Sequence, residues 1–224
     1  MNSVHVAASH LDLSDVRVRQ LINSGALDAE RVSGRWIISD DALRAYRGGP
    51  ANRPWEPASA WGFLWLLVDR PAPWLTDKQR ERVGRRMADG LSFHVAALRS
   101  RAELITLAAH PSALPRLQSD PGVVRSGLSA AADYAADLVD SEDVFEGYVR
   151  AEDIAKLKKR YVLGEPARRP NVRLHTIETI WPFDPNERLA PAIVVALDLL
   201  ESTDQRTSRA GKDLMQAHEM RSGS

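Results

Sequence analysis

The first 47 residues constrain this chain more than any other stretch. Helical periodicity, turn residues and extended runs alternate there at intervals that suit only a very small, closed unit. Residues 6–11 read as a short helix. Leu13-Ser14-Asp15 reads as a turn whose serine can cap the next helix. Residues 16–23 then carry Val18, Leu21 and Ile22 at helical spacing, and Ser24-Gly25 stops the run. Residues 27–32 and 35–38 flank Ser33-Gly34 as two extended runs about a small-residue turn, which predicts a hairpin. Ser39-Asp40 caps a last helix over 41–47, with Leu43 and Tyr46 facing inward. A Gly- and Pro-containing stretch follows, so the expected boundaries are a first domain at 1–48, a linker at 49–56 and a second domain at 57–224.

Helix, turn, second helix, hairpin is the order of a winged helix-turn-helix. Such a unit places its second helix in the major groove of DNA and its hairpin on the backbone or minor groove. Ser14, Arg17 and Gln20 fall on the exposed side of the second helix, with Arg19 beside them. Arg31, Ser33 and Arg35 fall at the hairpin. Arginine can pair bidentately with guanine and glutamine with adenine, while hairpin cations suit phosphates. The run Leu13-Ser14-x-x-x-Val18-Arg19-x-Leu21-Ile22-x-x-Gly25-x-Leu27-x-Ala29-x-Arg31-Val32-x-Gly34-Arg35-Trp36-x-Ile38 resembles the excisionase/MerR type of this domain. Residues 1–50 nevertheless hold six arginines against six acids. One copy is therefore expected to bind DNA weakly and to need a second contact or a dimer.

Beyond the linker, helices are expected at 57–68, at 77–89 behind the capping box Thr76-Asp77-Lys78-Gln79, and at 151–161, 191–200 and 207–219. Strands are expected at 101–108, 144–149 and 172–180, and short helical turns at 110–117 and 121–126. The predicted class is α+β and helix-rich, with a larger mixed domain following the small one. A 44% hydrophobic content supports a packed core. There are no cysteines, which excludes disulfides and thiolate metal sites and fits a cytoplasmic location. The start of the chain does not read as a signal peptide, and the apolar run 60–68 is too short to span a bilayer, so a core helix and no membrane partner are expected.

The formal charge is zero, but it is unevenly spread. Residues 133–146 hold six acids and no base, and residues 156–173 hold seven bases and one acid. Lys156, Lys158, Lys159, Arg160, Arg168, Arg169 and Arg173 are thus a candidate second basic surface for DNA or an acidic partner; a solvated face is the simpler alternative. Asp140, Glu142, Asp143 and Glu146 resemble paired carboxylates loosely and are read as a solvated acidic loop. The six histidines form no spaced metal motif. His175 and Glu178 would point to opposite faces of a strand. Trp55, Trp61, Trp65 and Trp74 are read mainly as packing residues, with a partner interface as the other use of such a cluster. No catalytic triad order or Gly-rich phosphate loop is present, so no enzyme, cofactor or metal is expected.

Five short motifs carry a further resemblance: Arg53-Pro54-x-x-Pro57-x-Ser59-Ala60-Trp61, His110-Pro111-Ser112-Ala113-Leu114, Arg125-Ser126-Gly127, Glu146-Gly147-Tyr148-Val149 and Val195-Ala196-Leu197-Asp198-Leu199-Leu200-Glu201. Over most of 53–215 they resemble AbiEi-type antitoxins, regulators of bacterial type IV toxin–antitoxin operons. That resemblance implies an N-terminal winged helix that binds the operon's own promoter. It also implies a larger C-terminal domain that supports repression and neutralisation, and a homodimer formed through that domain is expected. The toxin it implies is a separate nucleotidyltransferase-like protein. The alternative is an excisionase-like or MerR-like regulator with a ligand-sensing C-terminal domain, although no sustained heptad pattern for a MerR coiled coil is present.

Overall fold

The computed structural model describes residues 2–11, 13–23, 27–32, 34–46, 54–134, 143–165 and 170–222. The fold is mixed α+β with two separate sheets. Contacts divide the chain into two compact units, Met1–Phe63 with Leu75–Ser100, and Leu64–Trp74 with Arg101–Ser224.

The first unit opens with β1 (Asn2–Ser3), α1 (Val4–Leu11) and α2 (Asp15–Asn23). It continues with β2 (Glu30–Val32), β3 (Arg35–Ile38) and α3 (Asp40–Ala45). The Ser14 hydroxyl accepts from the Arg17 amide at 3.2 Å, and the Ser39 hydroxyl accepts from the Ala42 amide at 2.9 Å. Both serines therefore satisfy helix-start donors that would otherwise lack a partner. Gly34 sits at φ +80°, a conformation that costs glycine little and lets the hairpin close. The apolar faces of α1 and α2 bury Ala7, Ala8, Leu11, Val18, Leu21 and Ile22 against Leu27, Ile38 and Leu43. Sequence periodicity missed β1. It is only two residues long and exists through pairing with β3, Asn2 opposite Ile38 and Ser3 opposite Ile37.

The apolar helix α4 (Pro57–Leu67) begins in this unit. Then come α5 (Asp77–Met87), with both halves of the Thr76/Gln79 capping box formed, and the single turn α6 (Leu91–His94). Phe93 packs against the core built by α1 and α2. Residues 75–100 therefore group with the N-terminal segment, whereas the boundary read from the Gly/Pro stretch assigns them to the second domain. Linker composition reports where the chain turns, not which distant side chains pack together.

The second unit contains β4 (Glu103–Leu107), α7 (Leu114–Gln118), β5 (Val123–Arg125), β6 (Phe145–Arg150), α8 (Ile154–Tyr161), β7 (Val172–Ile177), α9 (Ala192–Leu200) and α10 (Gln205–Ser222). Its sheet runs β4-β7-β6-β5, with β6 and β7 parallel and the outer pairs antiparallel. The crossover between the parallel strands is α8. Phe145, Val149, Val172 and Leu174 face one side of the sheet and meet Leu117, Leu157 and Tyr161 there. The alternate residues face the other way, toward α9. The expected helical turn at 121–126 is instead β5. Val123 and Val124 are β-branched and buried, and they pair with Val149 and Tyr148. Among the described residues no helix is long and apolar enough to cross a membrane.

Candidate nucleic-acid interface

On α2, Val18, Leu21 and Ile22 are buried, which leaves Arg17, Arg19 and Gln20 on the solvent side. The Arg17 guanidinium donates to the Gln20 side-chain oxygen at 3.1 Å, so the two present one joined polar surface. Ser14 is exposed at the start of the helix, where its oxygen is already used as a cap. Asp15, in the first turn, suits the positive helix end and lies 3.3 Å from His5 Nδ1.

In the hairpin, Arg31 pairs with Trp36 and Val32 with Arg35. Paired residues share a face, so the exposed Arg31 and Arg35 project to opposite faces of the ribbon. Arg31 rides over the Trp36 ring at 5.7 Å. None of Arg17, Arg19, Arg31 and Arg35 has a carboxylate partner among the described residues, so each keeps its charge available to an anion. Ser33 lies outside the described residues.

The second basic run is arranged differently. Lys156 pairs with Asp153 at 2.9 Å, Lys158 with Glu165 at 3.6 Å and Arg160 with Asp120 at 2.6 Å. Asp120 is buried and also accepts from the Tyr161 hydroxyl at 2.7 Å. Burial raises its carboxyl, but the bonds from Tyr161, the Gly122 amide and Arg160 outweigh this and lower it overall. Lys159 is exposed. Arg173 does not join the α8 cations: its strand neighbours Val172 and Leu174 face α8, which turns Arg173 to the opposite side of the sheet, 3.3 Å from Glu146. Arg168 and Arg169 lie outside the described residues, as do Asp140 and Glu142.

Glu146 corrects the reading of a solvated acidic loop, because it is 2% exposed and belongs to a buried polar network. Its carboxylate accepts from His175 Nε2 at 2.9 Å and from the Leu128 amide at 3.2 Å. Beside it, Asp198 accepts from Arg101 Nη2 at 2.5 Å, from the Tyr148 hydroxyl at 2.7 Å and from the Ser126 hydroxyl. Arg101 also donates to Tyr148 at 3.0 Å and to Glu201 at 2.6 Å. The Tyr148 and His175 rings stack with centroids 4.8 Å apart. Gly127 is required here: its φ is +49°, and a Cβ on it would fall 2.2 Å from the Glu146 side chain.

Burial alone would raise the Asp198 carboxyl, but the His175 and Arg101 charges and the hydrogen bonds from Ser126 and Arg101 hold it below the usual range. Burial likewise lowers His175, yet Asp198 and Glu146 raise it overall. Burial is the leading cause that keeps Tyr148 a neutral phenol. The network braces β6 and β7 against α9, with its polar capacity spent inward. Sequence reading missed it, although one trace was visible: Asp198 is the only charge in the run 192–200.

Trp55, Trp61 and Trp65 are buried, and Trp74 is half-buried with its ring 6.4 Å from Trp65. Glu178 is exposed, away from the buried His175. No group of three or more metal-ligating side chains occurs among the described residues. Comparison with known protein families, with curated proteins and with solved structures finds no match to this chain.

Proposed function

We propose that the N-terminal segment is a winged helix-turn-helix that binds duplex DNA, and that the protein is a cytoplasmic transcriptional repressor of its own operon, an antitoxin of the AbiEi type. The observation that carries the reading is one arrangement. The outer face of α2 presents Arg17, Arg19 and Gln20, and the adjoining ribbon holds Arg31 and Arg35 on opposite faces, without carboxylate partners among the described residues. In this reading α2 enters the major groove, where Arg17 and Gln20 act together on base edges. A ribbon with a cation on each face can meet phosphates on both walls of a groove. The second unit pairs two copies and so supplies avidity to a weak single contact. The partner implied by the five short motifs is a nucleotidyltransferase-like toxin.

The test is a fluorescence-anisotropy titration with a duplex taken from the region upstream of the gene. Arg17→Ala should weaken binding by about 1–3 kcal/mol and relax sequence preference, whereas Arg35→Ala should weaken all sequences alike and reduce the salt slope by about one. Unchanged binding in both variants would remove the DNA-binding assignment. The antitoxin part is tested separately, by co-expression with the product of the neighbouring reading frame. Growth arrest by that product and rescue by this chain support it; no arrest, or no rescue, refutes it.

A further inference from the structure

We propose that the first unit holds a binding site for a small phosphorylated, hydroxyl-bearing metabolite, in a cleft lined by α1, α5, α6 and the start of α2. The cleft is about 480 Å³, within the range that takes a small molecule. Arg82, Arg85 and Arg86 line it from α5, and their spacing of three and four puts them on one helix face. Arg82 and Arg85 are exposed and have no carboxylate partner among the described residues. The Arg86 guanidinium is fixed 4.2 Å over the Trp55 ring.

Two carboxylates line the same cleft, and each already faces imidazoles. Asp15 lies 3.3 Å from His5, and Asp89 lies 3.5 Å from His10 and 3.4 Å from His94. The arginines therefore set the sign of the cleft, and adjacent guanidinium forks suit a phosphate better than any other common anion.

His94 supplies the second, independent pointer. It is 3% exposed and lines the cleft, and its Nε2 faces the Arg86 carbonyl at 3.0 Å. A carbonyl can only accept, so Nε2 carries the proton, and Nδ1 of the neutral ring is then an acceptor. That Nδ1 is buried with no hydrogen-bond partner among the described residues. A sugar hydroxyl that entered from the cleft as the ring turned toward it would supply the missing donor. Phe93, with its ring 5.1 Å from that of His94, offers an apolar wall.

Calorimetric titration of the full chain, without DNA, with ribose 5-phosphate, AMP, inorganic phosphate and ribose tests this. At least one organic phosphate should bind at submillimolar Kd, about tenfold tighter than inorganic phosphate. Arg82→Ala with Arg85→Ala, both exposed positions, should cost about tenfold or more. His94→Phe keeps a ring but removes the acceptor, so it should erase the advantage of the hydroxylated ligand over inorganic phosphate. Absence of binding by both organic phosphates up to about 10 mM, or affinity unchanged in the double variant, overturns the proposal. Loss of duplex binding alone in the double variant overturns it too, and makes these arginines a DNA-backbone contact. Asp15 opens α2, so an occupied cleft would also act on the helix proposed to read DNA. Only this consequence rests on the DNA-binding reading: it is tested by repeating the anisotropy titration with ligand present, and the calorimetry stands or falls without it.

Discussion

Replacing Asp198 by alanine strikes the buried network at its centre. The carboxylate accepts from Arg101, Tyr148 and Ser126, all essentially closed to solvent. Truncation leaves three buried donors short of an acceptor. Among the described residues Arg101 then keeps Glu201, whose side chain is 19% exposed, as a carboxylate partner. Removing one partner of a buried ion pair costs about 3–5 kcal/mol, because the remaining charge stays desolvated. For a chain of this size about 4 kcal/mol lowers the melting temperature by roughly 8–16 °C. Urea unfolding followed by circular dichroism and tryptophan fluorescence reads the change as a shift in midpoint at unchanged slope. The double variant Arg101→Met with Asp198→Leu replaces charge by apolar volume. It should be far more stable than the sum of its two single variants predicts, because neither charge is then left alone. A loss below about 1 kcal/mol for Asp198→Ala, or strict additivity in the double variant, would refute the reasoning.

The same network predicts a pH dependence. His175 is raised in the fold, so its contribution is complete below its ordinary value of 6.5 and fades as pH rises through the raised value. Asp198 is lowered, so its contribution is present above its ordinary value of 3.8 and fades as pH falls through the lowered one. His175→Gln should flatten the alkaline side of the stability curve in urea melts at stepped pH; an unchanged slope there contradicts the assignment. Gly127→Ala forces a side chain into a left-handed residue against Glu146, and should cost about 2 kcal/mol or more by thermal melt. Thr76→Ala removes the hydroxyl that accepts from the Gln79 amide at 3.3 Å, and should cost about 1 kcal/mol, with hydrogen exchange rising first in the opening turn of α5.

The sequence by itself determined the local grammar of this protein. The caps at Ser14, Ser39 and Thr76 and the turn at Gly34 act over a few residues, while the stop read at Ser24-Gly25 lies outside the described residues. Periodicity therefore located most helices and strands, and it separated the buried Val18, Leu21 and Ile22 from the exposed Arg17, Arg19 and Gln20. What depends on distant partners was decided only in three dimensions. β1 and β5 exist because of strands they pair with, and hairpin register alone set Arg31 and Arg35 on opposite faces. Arg101 meets Asp198 across 97 residues of chain, and Phe93 joins a core whose other members all precede residue 47. Such contacts leave no periodic trace. They arise where a carboxylate in an apolar helix, or a ring beyond a linker, finds the one environment in which its burial is compensated.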